Sequence, residues 1–367
     1  MISKPIVPPF DDSAKNVVVS QTLHGERYRY RVLTAEGAPP PSPQVKTASI
    51  YGDAGTYSPG LSQNLKVMLY GLRPRGADIY HYFFAPNLPT SIAGRVQQRI
   101  ARVKSVQTVC SQPKSFEKLG ALLFANRIIV LSEATRSRMV EAGAHENRLV
   151  HIRPGIDYIP RKTDSERNRI RHAYGVETEG PMVVFPGDYE FSSAAKTTAA
   201  AVPLLAKSHP SVTVVFACRI KRQPSVAVRD EIRAGLERSG HRGRVVFLER
   251  VADMPAFVGA ADAVVMPAES LYAKMDVPLV LLEAASQRVP LVVADVPPLS
   301  ELLPYGPALG VPPGNPEALA ESVGRILDNP NLSNRLGQAG ETAVLEAFSA
   351  RGTAAAVERV YDEVMSQ

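Results

Sequence analysis

Short apolar runs recur along the chain, separated by stretches whose apolar residues fall three and four apart. Runs such as Met182–Phe185 (MVVF) and Leu291–Ala294 (LVVA) are apolar at every position. That is the pattern of strands covered on both faces. In the first half it predicts strands at Pro5–Val7, Arg27–Thr34, Thr47–Tyr51, Ile79–Phe84, Val106–Cys110, Arg127–Leu131 and Leu149–Ile152. Helical spacing predicts Ser13–Leu23, Ser62–Leu72, Thr90–Val103, Phe116–Phe124 and Glu133–Ala142 between them. Arg27–Arg31 alternates Arg and Tyr, as a strand with one charged face would. From about Pro160 to Pro181 the chain reads as a linker containing a charged helix, RKTDSERNRIRHAYG. The alternation then restarts and runs to a last helix at Ala350–Met365.

Strand and helix alternating over two blocks of similar size imply α/β architecture with two doubly wound, Rossmann-like domains facing across a cleft. The expected divisions are 1–170, 171–348 and a final helix at 349–367. In such domains ligands sit beyond the carboxyl ends of the strands, where strand order reverses. Candidate functional residues are therefore those that follow strands.

Composition narrows the class. With 45% hydrophobic and 21% charged residues in 367, the chain reads as an ordinary soluble globular protein. No apolar run is long enough to span a bilayer, and MISKPIVPPFDD has no apolar signal core. Cys110 and Cys218 each end an apolar run, like buried thiols of a reducing compartment, so a cytoplasmic location is expected. Charge is uneven: residues 1–160 carry a net +9 and the remainder −3. A basic first half suits an anionic partner such as a lipid headgroup, a phosphorylated acceptor or a nucleic acid. Arg95, Arg99 and Arg102 share a helical face that suits either the inner face of a membrane or plain solvent. No basic motif interleaved with aromatics is present, so nucleic acid is not the expected partner.

After Pro5–Val7, Asp12 or Ser13 can cap the next helix, and Lys15 adds a positive charge near its first turn. His81 ends a strand, where it can serve a substrate hydroxyl as donor, acid or base, or can be a satisfied structural residue. Gly187 and Asp188 follow Met182–Phe185, and the glycine permits close backbone approach to a ligand. Arg219, Lys221 and Arg222 follow Val212–Cys218, as a diphosphate clamp or a basic surface loop. Leu248 and Arg250 lie where backbone groups could meet a flat base. In LYAKMDVPLVLLEAASQRVPLVV, Pro278 can open a helix capped by Asp276. Its apolar face carries one carboxylate, Glu283, either ion-paired within the domain, or simply on the exposed edge, or aimed at sugar or ribose hydroxyls. No G-x-G-x-x-G, P-loop, Asp-x-Asp pair or His/Cys cluster occurs, so neither a cofactor nor a protein-held metal is expected.

Together these stretches resemble a retaining glycosyltransferase of family 4 with the GT-B fold. The resemblance rests on Lys4-Pro5 with Pro8 to Asn16, Asp78 to His81 with Pro86-Asn87, Leu131 to Thr135, Pro154 to Asp157, Phe185 to Ser192, and Tyr272 to Asp276 continuing through Leu282 to Ala285. It implies an acceptor-binding first domain, with Asp12, Ser13, Lys15 and Asn87 on the acceptor side. It implies a nucleotide-sugar-binding second domain and a last helix that crosses back to the first. By resemblance Glu283 is a ribose-binding residue. Two departures stand out: Met275 occupies the place of the family's first glutamate, and Asp188 that of an arginine. Arg219, Lys221 and Lys274 are the candidates to supply the missing phosphate charge.

The expected function is transfer of a hexosyl unit from a nucleoside-diphosphate sugar to an acceptor hydroxyl, with retention. Stabilising the leaving diphosphate is the main demand, met by the N–H groups of Val277 and Leu279 at the helix start that Pro278 opens, together with Arg219 and Lys221. His81 and Asp276 would act nearest the transferred sugar. The acceptor is unknown, lipid-linked or anionic. The alternatives are a nucleotide-sugar epimerase of similar fold and a catalytically inactive sugar-nucleotide-binding subunit, the latter favoured by Met275.

Overall fold

A computed structural model describes residues 1–367 other than 9, 11, 53–59, 75, 177–178 and 221, with the backbone alone at Leu61. The chain divides into two compact units. The first comprises Met1–Asp157, Tyr272–Pro278 and Phe348–Gln367; the second comprises Tyr158–Leu271 and Leu279–Ala347.

The first unit runs α1 (Ser13–His24), β1 (Arg31–Ala35), β2 (Lys46–Tyr51), α2 (Leu61–Tyr70), β3 (Ile79–Phe83), α3 (Leu88–Ala101), β4 (Lys104–Val109), α4 (Leu119–Leu122), β5 (Arg127–Val130), α5 (Glu133–Glu141) and β6 (Leu149–His151). Strands β3, β4, β5 and β6 form a parallel sheet in that order, and β1 pairs in parallel with β2. The strand expected at Pro5–Val7 does not form. Proline has no N–H for a ladder. Instead the first residues stitch the two sheets together irregularly. Ile2 N–H donates to the His81 carbonyl at 2.7 Å, and Ile6 N–H donates to the Leu33 carbonyl at 3.0 Å. The expected strand at Arg27–Thr34 begins only at Arg31. The preceding aromatics turn to the last helix, α13 (Ala350–Met365): Tyr30 Oη donates to Glu358 at 2.7 Å and Tyr28 Oη to Asp362 at 2.8 Å.

Helix α13 belongs to the first unit and packs on α1 and β4. The turn at Pro154–Asp157 seats it. Ile156 N–H donates to the Phe348 carbonyl at 2.9 Å, and Ala350 N–H donates back to Ile156 at 2.9 Å. At Gly155 a Cβ would lie 2.4 Å from the Ser349 carbonyl oxygen, so this approach requires glycine.

The second unit runs α6 (Asp164–Ala173), β7 (Met182–Phe185), α7 (Ala194–Ser208), β8 (Thr213–Ala217), α8 (Gln223–Arg238), β9 (Val245–Leu248), α9 (Met254–Gly259), β10 (Ala263–Met266), α10 (Leu279–Ser286), β11 (Leu291–Ala294), β12 (Ala308–Val311), α11 (Pro316–Asp328) and α12 (Pro330–Ala347). Its six parallel strands are ordered β12-β11-β10-β7-β8-β9. Every residue of β7, β10 and β11 is buried, which their unbroken apolar runs require. The charged helix expected in a linker is α6, and it is part of this unit. Arg171, itself buried, donates to the Ala260 carbonyl at 2.7 Å and to Asp262 at 2.8 Å. Asp262 in turn accepts from Met182 N–H at 2.7 Å, which anchors α6 to the start of the central strand.

Candidate functional site

In the second unit the strand order reverses between β7 and β10. Such a reversal opens a crevice beyond the carboxyl ends of the two strands. After β7 comes Gly187, where a Cβ would lie 1.9 Å from the Phe185 ring; the glycine is needed for packing as much as for any ligand. Asp188 then closes a turn, its Oδ1 accepting from Glu190 N–H at 2.8 Å and Phe191 N–H at 2.9 Å. After β10, Glu269 accepts from Ser193 N–H at 2.7 Å and from Ser193 Oγ at 2.9 Å. A carboxylate thus sits at the positive end of α7 and ties together the loops that follow the two central strands. The sequence reading missed Glu269; its place just after a fully apolar run was the available signal.

The basic run after β8 is divided. Arg222 pairs with Glu190, which also accepts from Ser225 Oγ. Arg219 is half-exposed at the strand end, and Lys221 lies outside the described residues. At the end of β9, Leu248 is half-buried, its carbonyl accepting from Cys218 N–H at 3.0 Å, and Arg250, two residues beyond, is exposed.

Glu283 lies in the second turn of α10, facing α9. Its neighbours on the helix are buried leucines and alanines, and its own side chain is half-buried. Among the described residues no cation pairs with it and no donor bonds its carboxylate. Burial, and secondarily the nearby Asp253 carboxylate, raise its pKa to about 7. Of the readings offered by the sequence, the ion-paired one is not met among the described residues.

The segment before α10 groups with the first unit. Asp276 is wholly buried and accepts from Ser132 Oγ at 2.7 Å. Ser132 also caps α5, accepting from Thr135 N–H at 3.1 Å. Helix α10 starts at Leu279, one residue after Pro278. Met275 and Val277 are buried, Lys274 is half-exposed, and Ala273 has φ of +61°, a conformation that alanine adopts at a cost. Asp276 lies near residues expected on the acceptor side. Asp12 caps α1 by accepting from Ala14 N–H at 2.9 Å and holds Lys4 Nζ at 2.8 Å. Lys15, on α1, is buried. Asp12, Lys4 and Asp276 all act electrostatically on Cys110, whose thiol burial pushes up to about 12. Ser13 is merely the first residue of α1.

Two expected site residues have structural partners. His81 is 2% exposed, with Nδ1 bonded to Tyr361 Oη at 2.6 Å and Nε2 to Thr108 Oγ1 at 2.7 Å. Both ring nitrogens are used, and burial holds its pKa well below the usual value, so it is a neutral core residue. Asn87 caps α3: its Oδ1 accepts from Thr90 N–H at 3.1 Å while its Nδ2 donates to the Ala85 carbonyl at 3.1 Å. Both ends of its amide thus bond within its own loop, although the side chain is exposed. Arg95 also leaves the face it was expected to share with Arg99 and Arg102, because its guanidinium donates to the Gly120 carbonyl at 2.8 Å. Among the described residues, no three His, Cys, Asp or Glu side chains gather closely enough to hold a metal ion.

Two Rossmann-like units with parallel sheets make this a GT-B fold, and the solved structures agree. The chain superposes on Anabaena HepE in complex with UDP and glucose with a TM-score of 0.79, at 18% identity, covering 98% of each chain. It superposes on sucrose-phosphate synthase from Thermosynechococcus elongatus with a TM-score of 0.76, at 17% identity, covering 100% of this chain and 98% of the other. Residues 180–329, most of them in the second unit, match the family described as Glycosyl transferases group 1. Among curated proteins, the chain is 23% identical over 205 residues to alpha-D-kanosaminyltransferase from Streptomyces kanamyceticus, covering 55% of this chain and 50% of that protein. It is 27% identical over 184 residues to glycogen synthase from Mycobacterium tuberculosis, covering 50% and 42% respectively. The matches thus span half or less of these relatives' length.

Proposed function

We propose that the protein is a glycosyltransferase that moves a hexosyl unit from a nucleoside-diphosphate sugar to an acceptor hydroxyl, with retention and without a bound metal. The observation that carries this is Glu283: a desolvated carboxylate without a partner among the described residues, on the helix that follows β10. Ribose hydroxyls are neutral donors that complete such a group, each charge-assisted bond contributing about 1.5–3 kcal/mol. The likeness to HepE, solved with UDP and glucose, and the match of this unit to Glycosyl transferases group 1 support a nucleotide-sugar donor.

In this reading the positive end of α10 at Leu279 meets the diphosphate, helped by Arg219. As the bond to the sugar breaks, negative charge grows on the leaving phosphate; these groups stabilise it where water is excluded. Gly187 and Asp188 line the donor site, and Leu248 and Arg250 flank the base. Asp276 stands nearest the transferred sugar, with Asp12, Ser13 and Lys15 toward a lipid-linked or anionic acceptor. Retention is carried by the family resemblance alone.

The test is a thermal-shift screen against UDP-, GDP-, ADP- and dTDP-sugars, followed by donor affinity and turnover for Glu283→Gln and Arg219→Ala. A ligand that binds only the folded chain raises its melting temperature. At least a roughly tenfold loss of donor affinity or turnover is expected in Glu283→Gln, about 1.4 kcal/mol, and a large loss of turnover in Arg219→Ala. Unchanged values in a folded Glu283→Gln protein remove that residue from the site. Met275 favours a second reading, a donor-binding subunit without activity; donor binding with no transfer to any of a panel of acceptors would select it.

A further inference from the structure

Helix α3 presents an unusual outer face. Leu88, Ile92, Val96 and Ile100 recur four apart and form one stripe along the helix. All four stand in solvent, Ile92 at 56% and Ile100 at 59%. On α2, which packs beside α3, Leu65 and Leu69 are exposed at 52% and 53%. Among the described residues these six make up half of the twelve large apolar side chains left in water. The inner side of α3 is fully engaged and cannot be rolled outward in exchange. Gly94 lies under the Phe124 ring, and Gln97 Nε2 donates to the Val67 and Met68 carbonyls at 2.9 Å.

The charge around this stripe has one sign. Segment 61–104 contains seven Lys and Arg residues and a single acid, Asp78. Lys66 is exposed between Leu65 and Leu69; Arg99 and Arg102 are exposed beside Val96 and Ile100. The exposed apolar residues are all aliphatic. The core of a protein–protein interface is enriched in aromatic residues and depleted of Lys. An aliphatic stripe rimmed by long cationic side chains matches a headgroup layer instead. There the apolar groups enter the acyl boundary and the cations reach lipid phosphates.

We propose that the outer face of α2 and α3 docks on an anionic lipid bilayer, with Leu65, Leu69 and the α3 stripe immersed and Lys66, Arg99 and Arg102 among the headgroups. This does not depend on the donor reading, because it concerns a different surface and is measured without substrate.

The test is co-sedimentation of the full chain with vesicles. One set is phosphatidylcholine alone and the other contains about one-third phosphatidylglycerol, each at low and high salt. The wild-type chain is expected to favour the anionic vesicles by roughly tenfold and to lose most of that preference at high salt. Ile92→Glu with Ile100→Glu should cut partitioning by at least roughly tenfold with an unchanged melting temperature, since both residues already face water. Arg99→Gln with Arg102→Gln should cut it severalfold and flatten the salt dependence. Ile100→Asn alone is the milder variant should the double glutamate perturb folding. Absence of vesicle binding by the wild type, or full binding by the Ile92/Ile100 variant, overturns the proposal. So does a concentration-dependent dimer in light scattering that the same variant disperses while vesicles bind neither form; the stripe is then an interface between copies.

Discussion

The two units treat their conspicuous polar residues in opposite ways. In the first, His81, read from the sequence as a strand-end residue suited to chemistry, lies in the middle of β3 with both its nitrogens bonded inside the unit, to Tyr361 and Thr108. In the second, Glu283 lies on an apolar helix face suited only to burial, yet its carboxylate has no partner among the described residues, and burial raises its pKa to about 7. A polar group with every valence used is part of the scaffold. A desolvated charge left unsatisfied costs stability in the free protein, and such a cost is tolerated where a ligand completes the group. The distinction is energetic, and each substitution below presses on one side of it.

The largest effect is expected at His81. Its removal leaves the Tyr361 and Thr108 hydroxyls buried without their partner and opens a cavity. Together these should cost about 4 kcal/mol in His81→Ala, measured by denaturant unfolding. Donor affinity per folded molecule should stay unchanged. Because burial depresses the folded pKa of His81, its contribution is present above its unfolded value near 6.5 and is lost as pH falls. A large loss of donor affinity at wild-type stability would reverse the assignment.

Glu283 should behave in the opposite sense. Its folded pKa of about 7 lies above the ordinary glutamate value of 4.5. The stability linked to this group is therefore fully present below about 4.5 and lost as pH rises through 7, a cost of about 3 kcal/mol at pH 8. Glu283→Gln should be more stable than wild type at pH 8, with the gain shrinking toward pH 5, while donor binding weakens. Equal melting temperatures at both pH values would mean that the carboxylate is better solvated than its surroundings imply.

Gly155→Ala tests how α13 is held. The added methyl would meet the Ser349 carbonyl oxygen at 2.4 Å and Thr353 Oγ1 at 2.5 Å. Both belong to the seam that seats the helix, and backbone cannot step aside cheaply. A cost of about 2 kcal/mol is expected, with hydrogen exchange accelerated across Ala350–Met365. Exchange unchanged in that helix would show that it is held mainly by its contacts with α1.

What was legible in the sequence follows from the range of each signal. Fully apolar runs reported β7, β10 and β11 because a strand covered on both faces needs apolar residues throughout. A single carboxylate among leucines and alanines marked Glu283 because the rest of α10 had to be buried. The fate of His81 was not legible, since its partner Tyr361 lies 280 residues away. The partner of Asp276, Ser132, lies 144 residues away, so a residue read as a local helix cap is held by a distant element instead. A proline misled at Pro5–Val7: the apolar pattern is that of a strand, but Pro5 has no N–H for a ladder and the segment is only stitched irregularly.

Asn87 offers the smallest effect and a clean separation of scaffold from site. Its Oδ1 accepts from Thr90 N–H at the start of α3, a cap that serine or aspartate can also provide. Asn87→Ala should therefore cost about 1 kcal/mol, and Asn87→Asp should recover most of it, helped by the positive end of the helix. An amide that contacts an acceptor would behave differently: aspartate, lacking the N–H donors and carrying a charge, would rescue stability but not the Michaelis constant for the acceptor. Parallel recovery of both places Asn87 with His81 in the scaffold. Recovery of stability alone would return it to the acceptor side and make it a polar residue that does both jobs.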